Sequence, residues 1–145
     1  MSVRSILRGK PAQRILTISP EASVAEASEM LSANKIGALV VSRTGSDLAG
    51  ILSERDIVRE LGRQGAPCLD LTVDSMMTKT VTTVHPDETA LGALSKMSGG
   101  RFRHLPVVEN ERMVGVISIG DVVKYRMDEM ARENSALTDM IVGHG

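Results

Sequence analysis

The chain carries an internal duplication. The stretch GILSERDIV (residues 50–58) returns as GVISIGDVV (residues 115–123), with Gly, Ser, Asp and Val at the same places in both. The match extends upstream, where TISPEASVAEA lies over TVHPDETALGA, so that Pro20 aligns with Pro86. Because an array of stacked repeats needs three or more units, two copies indicate a pair of packed units rather than a solenoid.

Each copy has the same order of predicted secondary structure. A short strand is followed by a proline turn and by a helix that begins after a capping residue, Ser23 or Thr89. Two strands follow, GALVVS then LAGILS in the first copy and HLPVVE then MVGVIS in the second, and a second helix comes next. Residues three and four apart predict the buried faces of the first helices: Val24, Ala27 and Leu31, and Leu91, Leu94 and Ser98.

This order predicts an α/β (α+β) fold of two β-α-β-β-α units. Since a unit of about 60 residues buries little surface alone, we expect the two to pack sheet to sheet within the 145 residues. The predicted divisions are an N-terminal helical segment (1–13), the first repeat (14–66), a linker (67–79) with a short apolar helix from Val73 to Met77, the second repeat (80–126), and a C-terminal helix and tail (127–145).

Composition argues against several functions. With 17 basic and 18 acidic residues and 1% aromatic residues, the chain has neither a net field nor stacking platforms for nucleic acid. No apolar run reaches the ~20 residues of a membrane span, and the start MSVRSILRGK has too short an apolar stretch for a signal peptide. We therefore predict a cytoplasmic protein that binds neither nucleic acid nor membranes, and the single Cys68 agrees with a reducing compartment.

The end of the repeated phrase allows two interpretations. Ser53 and Ser118 stand where a strand passes into a helix, and Asp56 and Asp121 follow three residues later. In the first interpretation they form capping boxes, in which Ser caps the helix and Asp returns the bond. In the second, the helix N-terminus binds a phosphate while Asp accepts the hydroxyls of a ribose. The spacing alone does not choose between them.

The duplicated order, the openings SPEASVAEA and HPDETALGAL, the stretch RHLPVV and the two closing phrases together resemble a tandem pair of cystathionine β-synthase (CBS) domains, or Bateman module, over residues 14–126. The resemblance implies a regulatory, non-catalytic module with an adenosyl ligand (AMP, ADP, ATP, NAD(H) or S-adenosylmethionine) in clefts between the repeats and no required cofactor. It also implies signalling to an unknown protein partner.

By this resemblance, the aspartates hold ribose, the serines and basic residues hold phosphate, and backbone near the first strands frames adenine. The nucleotide-binding residues it implies are Thr17, Ile36, Gly37, Ser53, Arg55, Asp56, Thr83, Arg103, His104, Ser118 and Asp121. Where the second copy has Arg103 and His104, the first has Ile36 and Gly37, and we expect Arg55 to supply the missing charge. The two clefts should therefore differ in affinity or in ligand.

Two other classes of function stay open. One is a structural interaction module, in which the Ser-x-x-Asp phrases are only caps. The other, weaker because there is no Walker loop, no GxGxxG after a strand and no clustered metal ligands, is an enzyme acting on a nucleotide. We predict no metal site, and we expect His85 to be a turn residue and His144 to lie in the terminal tail.

The C-terminal segment shows a stripe at helical spacing in which all residues but Asn134 are apolar: Met127, Met130, Asn134, Leu137 and Ile141. So small a body would cover this stripe poorly, and exposed stripes of this kind mark contact surfaces. We therefore expect a homodimer, in which two CBS pairs form a flat disc.

Overall fold

The duplication reappears as two similar sheets in the computed structural model, which describes residues 2–10, 15–100 and 102–143, with side chains of the last helix described as far as Leu137. The first half consists of α1 (Val3–Gly9), β1 (Thr17–Ile18), α2 (Val24–Asn34), β2 (Ala38–Val41), β3 (Gly50–Ser53) and α3 (Glu54–Gln64). A 3₁₀ helix (Ala66–Asp70) and α4 (Val73–Met76) follow. The second half consists of α5 (Ala90–Gly100), β4 (His104–Glu109), β5 (Arg112–Ser118) and α6 (Ile119–Gly143).

The predicted mixed fold of two repeated units is confirmed, with one difference between the units. In the first, β1 pairs in parallel with β2, and β2 pairs antiparallel with β3. In the second, β4 and β5 pair antiparallel, and the first strand is reduced to one parallel bridge between Val84 and Val107. The duplication therefore preserves the topology while one edge strand is shortened.

The strand register corrects the alignment between the copies by one residue. Ala38 lies opposite Ser53, and His104 lies opposite Ser118, so Ala38 and His104 are equivalent. The sequence comparison had matched His104 with Gly37. The spacing between Pro20 and Pro86 is kept as far as Val41 and Val107, which lie opposite Gly50 and Gly115, so the copies differ in length only after these residues.

Each half has its own hydrophobic core, and each core is completed by a short helix from elsewhere in the chain. Helix α4 contributes Val73 to the first core, whereas α1, which precedes the first copy, contributes Val3 and Ile6 to the second. The backbone contacts match, since Val73 N donates to Ala22 O and Val3 N donates to Glu88 O. Helices α1 and α4 are therefore equivalent: each precedes one copy in the chain and packs against the other. We call each of these helices, with the residues that directly follow it, a crossed segment.

The glycine of the repeated phrase is explained by these crossed segments. A Cβ at Gly50 would lie 2.7 Å from Met77 Sδ and 2.7 Å from Thr78 O, just after α4. A Cβ at Gly115 would lie 2.7 Å from Cδ2 of Leu7, which stands on α1. In both copies the crossed segment packs against this glycine: at Gly50 its backbone leaves no room for a Cβ, whereas at Gly115 only the Leu7 side chain is in the way.

The buried face of α5 differs from the predicted one. Helix α2 buries its predicted face, but α5 buries Ala90, Ala93 and Met97. Of the residues predicted for α5, Leu94 packs against the core, whereas Leu91 and Ser98 are exposed. Apolar residues occur on both sides of the stretch ALGAL, so the spacing does not determine which side faces the core.

Helix α6 begins in the second core and then continues beyond it. Val122 is buried, whereas Met127, Met130 and Leu137 are exposed, and the side chain of Ile141 lies outside the described residues. Within the described residues, no helix is both long and apolar enough to cross a membrane.

Candidate functional site

Two clefts lie between the sheets, one beside each repeated aspartate. The larger, of about 540 Å³, contains Ser118 and Asp121, and we call it the Asp121 cleft. The smaller, of about 400 Å³, contains Ser53 and Asp56, and we call it the Asp56 cleft. Three residues line both clefts and thus lie between them: Ala38, Ile51 and His104.

In the Asp56 cleft, the start of α3 holds the aspartate in place. Ser53 Oγ accepts a hydrogen bond from Asp56 N (3.2 Å), and Asp56 Oδ2 accepts one from Ser53 N (2.9 Å), which confirms the capping box. The Asp56 side chain is only 11% exposed, and its other oxygen accepts from Arg59 Nη2 at 3.0 Å. The buried charge is therefore paired with an arginine whose own side chain is 63% exposed.

In the Asp121 cleft, the same cap forms but the cation comes from a distant segment. Asp121 Oδ2 accepts from Ser118 N (2.8 Å), and Ser118 Oγ accepts from Asp121 N (3.0 Å). Lys10, directly after α1, places Nζ 2.8 Å from the same Oδ2 and 2.9 Å from Val116 O. Burial raises the pKa of Asp121, but the Lys10 hydrogen bond and charge and the Ser118 bonds outweigh it, so the pKa lies below its ordinary value.

Sequence reasoning missed Lys10 and Arg59. Arg59 stands three residues after Asp56 on the same helix, so the helical period gave a signal for it. No local pattern points to Lys10, because its position depends on α1 crossing to the second unit.

His104, between the clefts, is half-buried and close to several charged groups. Burial lowers the pKa of this imidazole below its ordinary value, Lys10 and Arg103 act in the same direction, and Asp121 and Glu54 oppose them. The ring is therefore mostly neutral at pH 7 and gains a proton readily only when a further negative charge comes close.

The structure brings most of the predicted residues to one cleft or the other. The Asp56 cleft contains Gly37, Ser53, Arg55, Asp56, Arg103 and His104. The Asp121 cleft contains Ile36, His104, Ser118 and Asp121.

Thr17 and Thr83 are not among the described residues that line either cleft. Thr17 pairs with Val40 inside the first sheet, and the Thr83 carbonyl accepts from Lys96 Nζ at 2.9 Å. Their neighbours in the chain line the clefts instead: Ile15 and Leu16 beside Asp121, and Thr80, Val81 and Thr82 beside Asp56.

The expectation that Arg55 replaces a cation missing beside Ile36 is wrong. The Asp56 cleft contains Arg103 of the second copy together with Gly37 of the first, and the Asp121 cleft contains Ile36 of the first copy. Arg55 and Arg103 consequently line the Asp56 cleft together, whereas Ile36 lines the Asp121 cleft. Among the residues that the structure describes, arginines line the Asp56 cleft, whereas two lysines, Lys10 and Lys124, line the Asp121 cleft.

The remaining sequence predictions concern the other two histidines and possible metal sites. His85 lies in a turn, where its Nδ1 accepts from Asp87 N at 3.0 Å, as predicted. His144 lies outside the described residues. In the part of the chain that the structure describes, no group of three or more His, Cys, Asp or Glu side chains could hold a metal ion.

Comparison with known proteins points to one family. The family model of the CBS domain matches residues 3–63 and 73–128, so each match begins at a crossed helix. CBSX3, a mitochondrial CBS domain-containing protein of Arabidopsis thaliana, is 36% identical over 125 residues, which are 83% of this chain but only 61% of that protein. The crystal structure of the CBS-domain containing protein ATU1752 from Agrobacterium tumefaciens matches with a TM-score of 0.82 and 43% identity, covering 87% of this chain and 99% of that one.

Two similar structures were solved with ligands. The CBS domain pair of protein MJ0100, in complex with 5′-methylthioadenosine and S-adenosyl-L-methionine, has 28% identity and a TM-score of 0.76 over 89% of this chain and 98% of its own. CBSX2, in complex with AMP, has 25% identity and a TM-score of 0.75 over the same shares of the two chains.

Proposed function

Because this chain belongs to the CBS-domain family, we propose that it is a regulatory module that binds an adenosyl nucleotide, with the Asp56 cleft as the principal site. The observation that carries the proposal is a buried carboxylate in a cleft whose described lining also includes Arg55, Arg59 and Arg103, of which Arg59 pairs with the carboxylate. Carboxylate and arginine together match a ribose next to a phosphate.

The aspartate can exchange its present partner for a ribose at small cost. Arg59 pairs with Asp56 from one turn away on the same helix, and its side chain is mostly exposed. The guanidinium group of Arg59 can therefore turn toward water, whereas the carboxylate is only 11% exposed and needs replacement donors. Two ribose hydroxyls can donate to the carboxylate in its place, while the capping bonds hold the carboxylate still.

The phosphate has a matching environment in the same cleft. Arg55 lies in the first turn of α3, where the helix N-terminus favours negative charge. Arg103 reaches the cleft from the other copy, and neither arginine forms an ion pair with any residue that the structure describes. Both guanidinium groups are thus available to an anionic ligand.

The purine fits the apolar part of the Asp56 cleft, which is lined by Ala38, Ile51, Val81 and Phe102. The ligands of MJ0100 and CBSX2 support the adenosyl class. The arginines favour the phosphorylated members, AMP, ADP, ATP or NAD(H), over S-adenosylmethionine. We propose that the module acts by binding and signals to a protein partner, and that incubation with these nucleotides yields no product.

Isothermal titration with AMP and with adenosine tests the proposal. Arg103→Ala is expected to weaken AMP binding about 10- to 150-fold, since charge-assisted hydrogen bonds contribute about 1.5–3 kcal/mol, and to change adenosine affinity less than about twofold. Arg63→Ala is the matched control, because Arg63 also lies on α3 but lines neither cleft. Equal losses for AMP and adenosine would show that Arg103 only shapes the cleft, and absence of AMP binding to the unmodified protein would favour the structural module.

We also propose that the module is a homodimer. Val58 on α3 and Val123 on α6 occupy equivalent positions in the repeated phrase and are both exposed, and the exposed Met127, Met130 and Leu137 extend this surface. Sedimentation equilibrium is expected to give the mass of two chains, and the double variant Met130→Lys, Leu137→Lys that of one. A concentration-independent mass of one chain for the unmodified protein would contradict the proposal.

A further inference from the structure

The two clefts differ in what already contacts their aspartates. Asp56 is paired by Arg59 of its own helix, whereas Asp121 is paired by Lys10, which comes from the opposite end of the chain. The Lys10 side chain is 28% exposed, against 63% for Arg59. The cation of the Asp121 cleft is therefore the more enclosed of the two.

Lys10 has a second bond that fixes it in place. In the first half, Thr78 N donates to the carbonyl of Ile51 on the edge of the sheet (2.8 Å). In the second half, the equivalent carbonyl, that of Val116, accepts from Lys10 Nζ at 2.9 Å. The ammonium group thus satisfies the sheet edge and the aspartate at once, and removing it leaves both acceptors without this partner.

The duplication shows that this lysine is particular to one cleft. Because α1 and α4 are equivalent, Lys10 corresponds to Thr80, which lines the Asp56 cleft without a charge. The same comparison matches Gly37 with Arg103, so the Asp121 cleft lacks the guanidinium that the Asp56 cleft receives from the other copy.

We propose that Lys10 is an intramolecular occupant of the Asp121 cleft: its ammonium group holds the carboxylate that would otherwise accept ribose hydroxyls, and this makes the Asp56 cleft the single high-affinity site for AMP. The inference rests on the proposed function and determines which of the two clefts is used. A ribose that binds in the Asp121 cleft must compete with Lys10 for the carboxylate, and none of the described residues that line this cleft is an arginine that could bind the phosphate.

The test is the stoichiometry of AMP binding, measured by isothermal titration. The unmodified protein is expected to bind one equivalent of AMP per chain with high affinity. Lys10→Met keeps the length of the side chain and removes the ammonium group, and it is expected to raise the affinity of a second equivalent at least tenfold. In the Lys10→Met background, Asp121→Asn should remove the second equivalent and Asp56→Asn the first.

The matched control is Lys124→Met, which removes a charge from the same cleft but not from the pair with Asp121. It should leave one high-affinity equivalent, and so should Lys10→Arg, which retains the cation. One equivalent in Lys10→Met, or weaker second-site binding, would overturn the inference, the latter by showing that Lys10 contacts the ligand. Two equivalents of equal affinity in the unmodified protein would also overturn it. Absence of AMP binding to every variant would overturn the proposed function together with the inference.

Discussion

Alanine at the two repeated glycines tests the equivalence of the crossed segments. At Gly50 the added methyl group would lie 2.7 Å from Thr78 O, and this carbonyl cannot retreat freely because residues 51 and 78 exchange two backbone hydrogen bonds, of 3.0 and 2.8 Å. At Gly115 the methyl group would meet only the side chain of Leu7, at 2.7 Å from its Cδ2 atom. A leucine side chain can change rotamer, whereas a paired backbone cannot.

The expected loss of unfolding free energy follows from this difference. Overpacking typically costs about 1–3 kcal/mol. Gly50→Ala should lie near the upper end, at about 3 kcal/mol, and Gly115→Ala near the lower end, at about 1 kcal/mol. The control is Gly62→Ala within α3, where nothing lies within 4 Å of the new Cβ. There, alanine should stabilise the protein by about 0.5–1 kcal/mol, because glycine disfavours a helix interior.

Urea denaturation of the three variants measures these differences. The reasoning predicts an order of stability in which Gly62→Ala exceeds the unmodified protein, Gly115→Ala falls slightly below it and Gly50→Ala falls well below. A Gly115→Ala variant as unstable as Gly50→Ala, or a Gly50→Ala variant with unchanged stability, would refute the account of the crossed segments.

Three further predictions follow. Because the pKa of Asp121 is lower in the folded protein than its value of about 3.9 in the unfolded chain, the ionised carboxylate stabilises the fold above that pH. The stability advantage over Asp121→Asn should therefore be lost as the pH falls through the pKa of folded Asp121, and a pH-independent difference in urea titrations would contradict this. AMP binding should be accompanied by proton uptake at His104, because a nearby phosphate raises the lowered pKa of this residue. Titration in buffers of different ionisation enthalpy detects the uptake, and an unchanged uptake in His104→Gln would assign the proton elsewhere. Asp56→Asn should weaken AMP binding about 10- to 150-fold while costing about 1 kcal/mol of stability as a weakened cap, and a lower melting temperature with unchanged affinity would leave Asp56 as a cap only.

The features that local sequence patterns predicted are those that depend on neighbours along the chain. Ser53 with Asp56, and Ser118 with Asp121, cap their helices because three-residue spacing at a helix start brings these groups together. The strands and turns follow from apolar runs between turn residues in the same way. Which residues gather around each aspartate was only partly predictable, since that depends on how the two copies face each other.

The features that were missed depend on distant parts of the chain. Lys10 can pair with Asp121 only because α1, which precedes the first copy, packs against the second copy. Nothing in MSVRSILRGK indicates this packing. The equivalence of Ala38 and His104 follows from their pairing with Ser53 and Ser118, and the letters around them do not show it because the two stretches share few residues. The buried face of α5 was also ambiguous, because both faces of this helix carry apolar residues.

Because α1 and α4 each pack against the copy that they do not precede, the two hydrophobic cores can form only in a fixed order during synthesis of the chain. When the ribosome has made the first copy and α4, the core that contains Val73 has all of its parts and can form at once. The core that contains Val3 and Ile6 must wait until the last strands emerge, and the first helix of the chain is held without its partners until then. Contacts of such long sequence separation close late and slowly. Damage or a fusion at the N-terminus should therefore impair folding of the C-terminal half, while the half beside it in sequence folds normally.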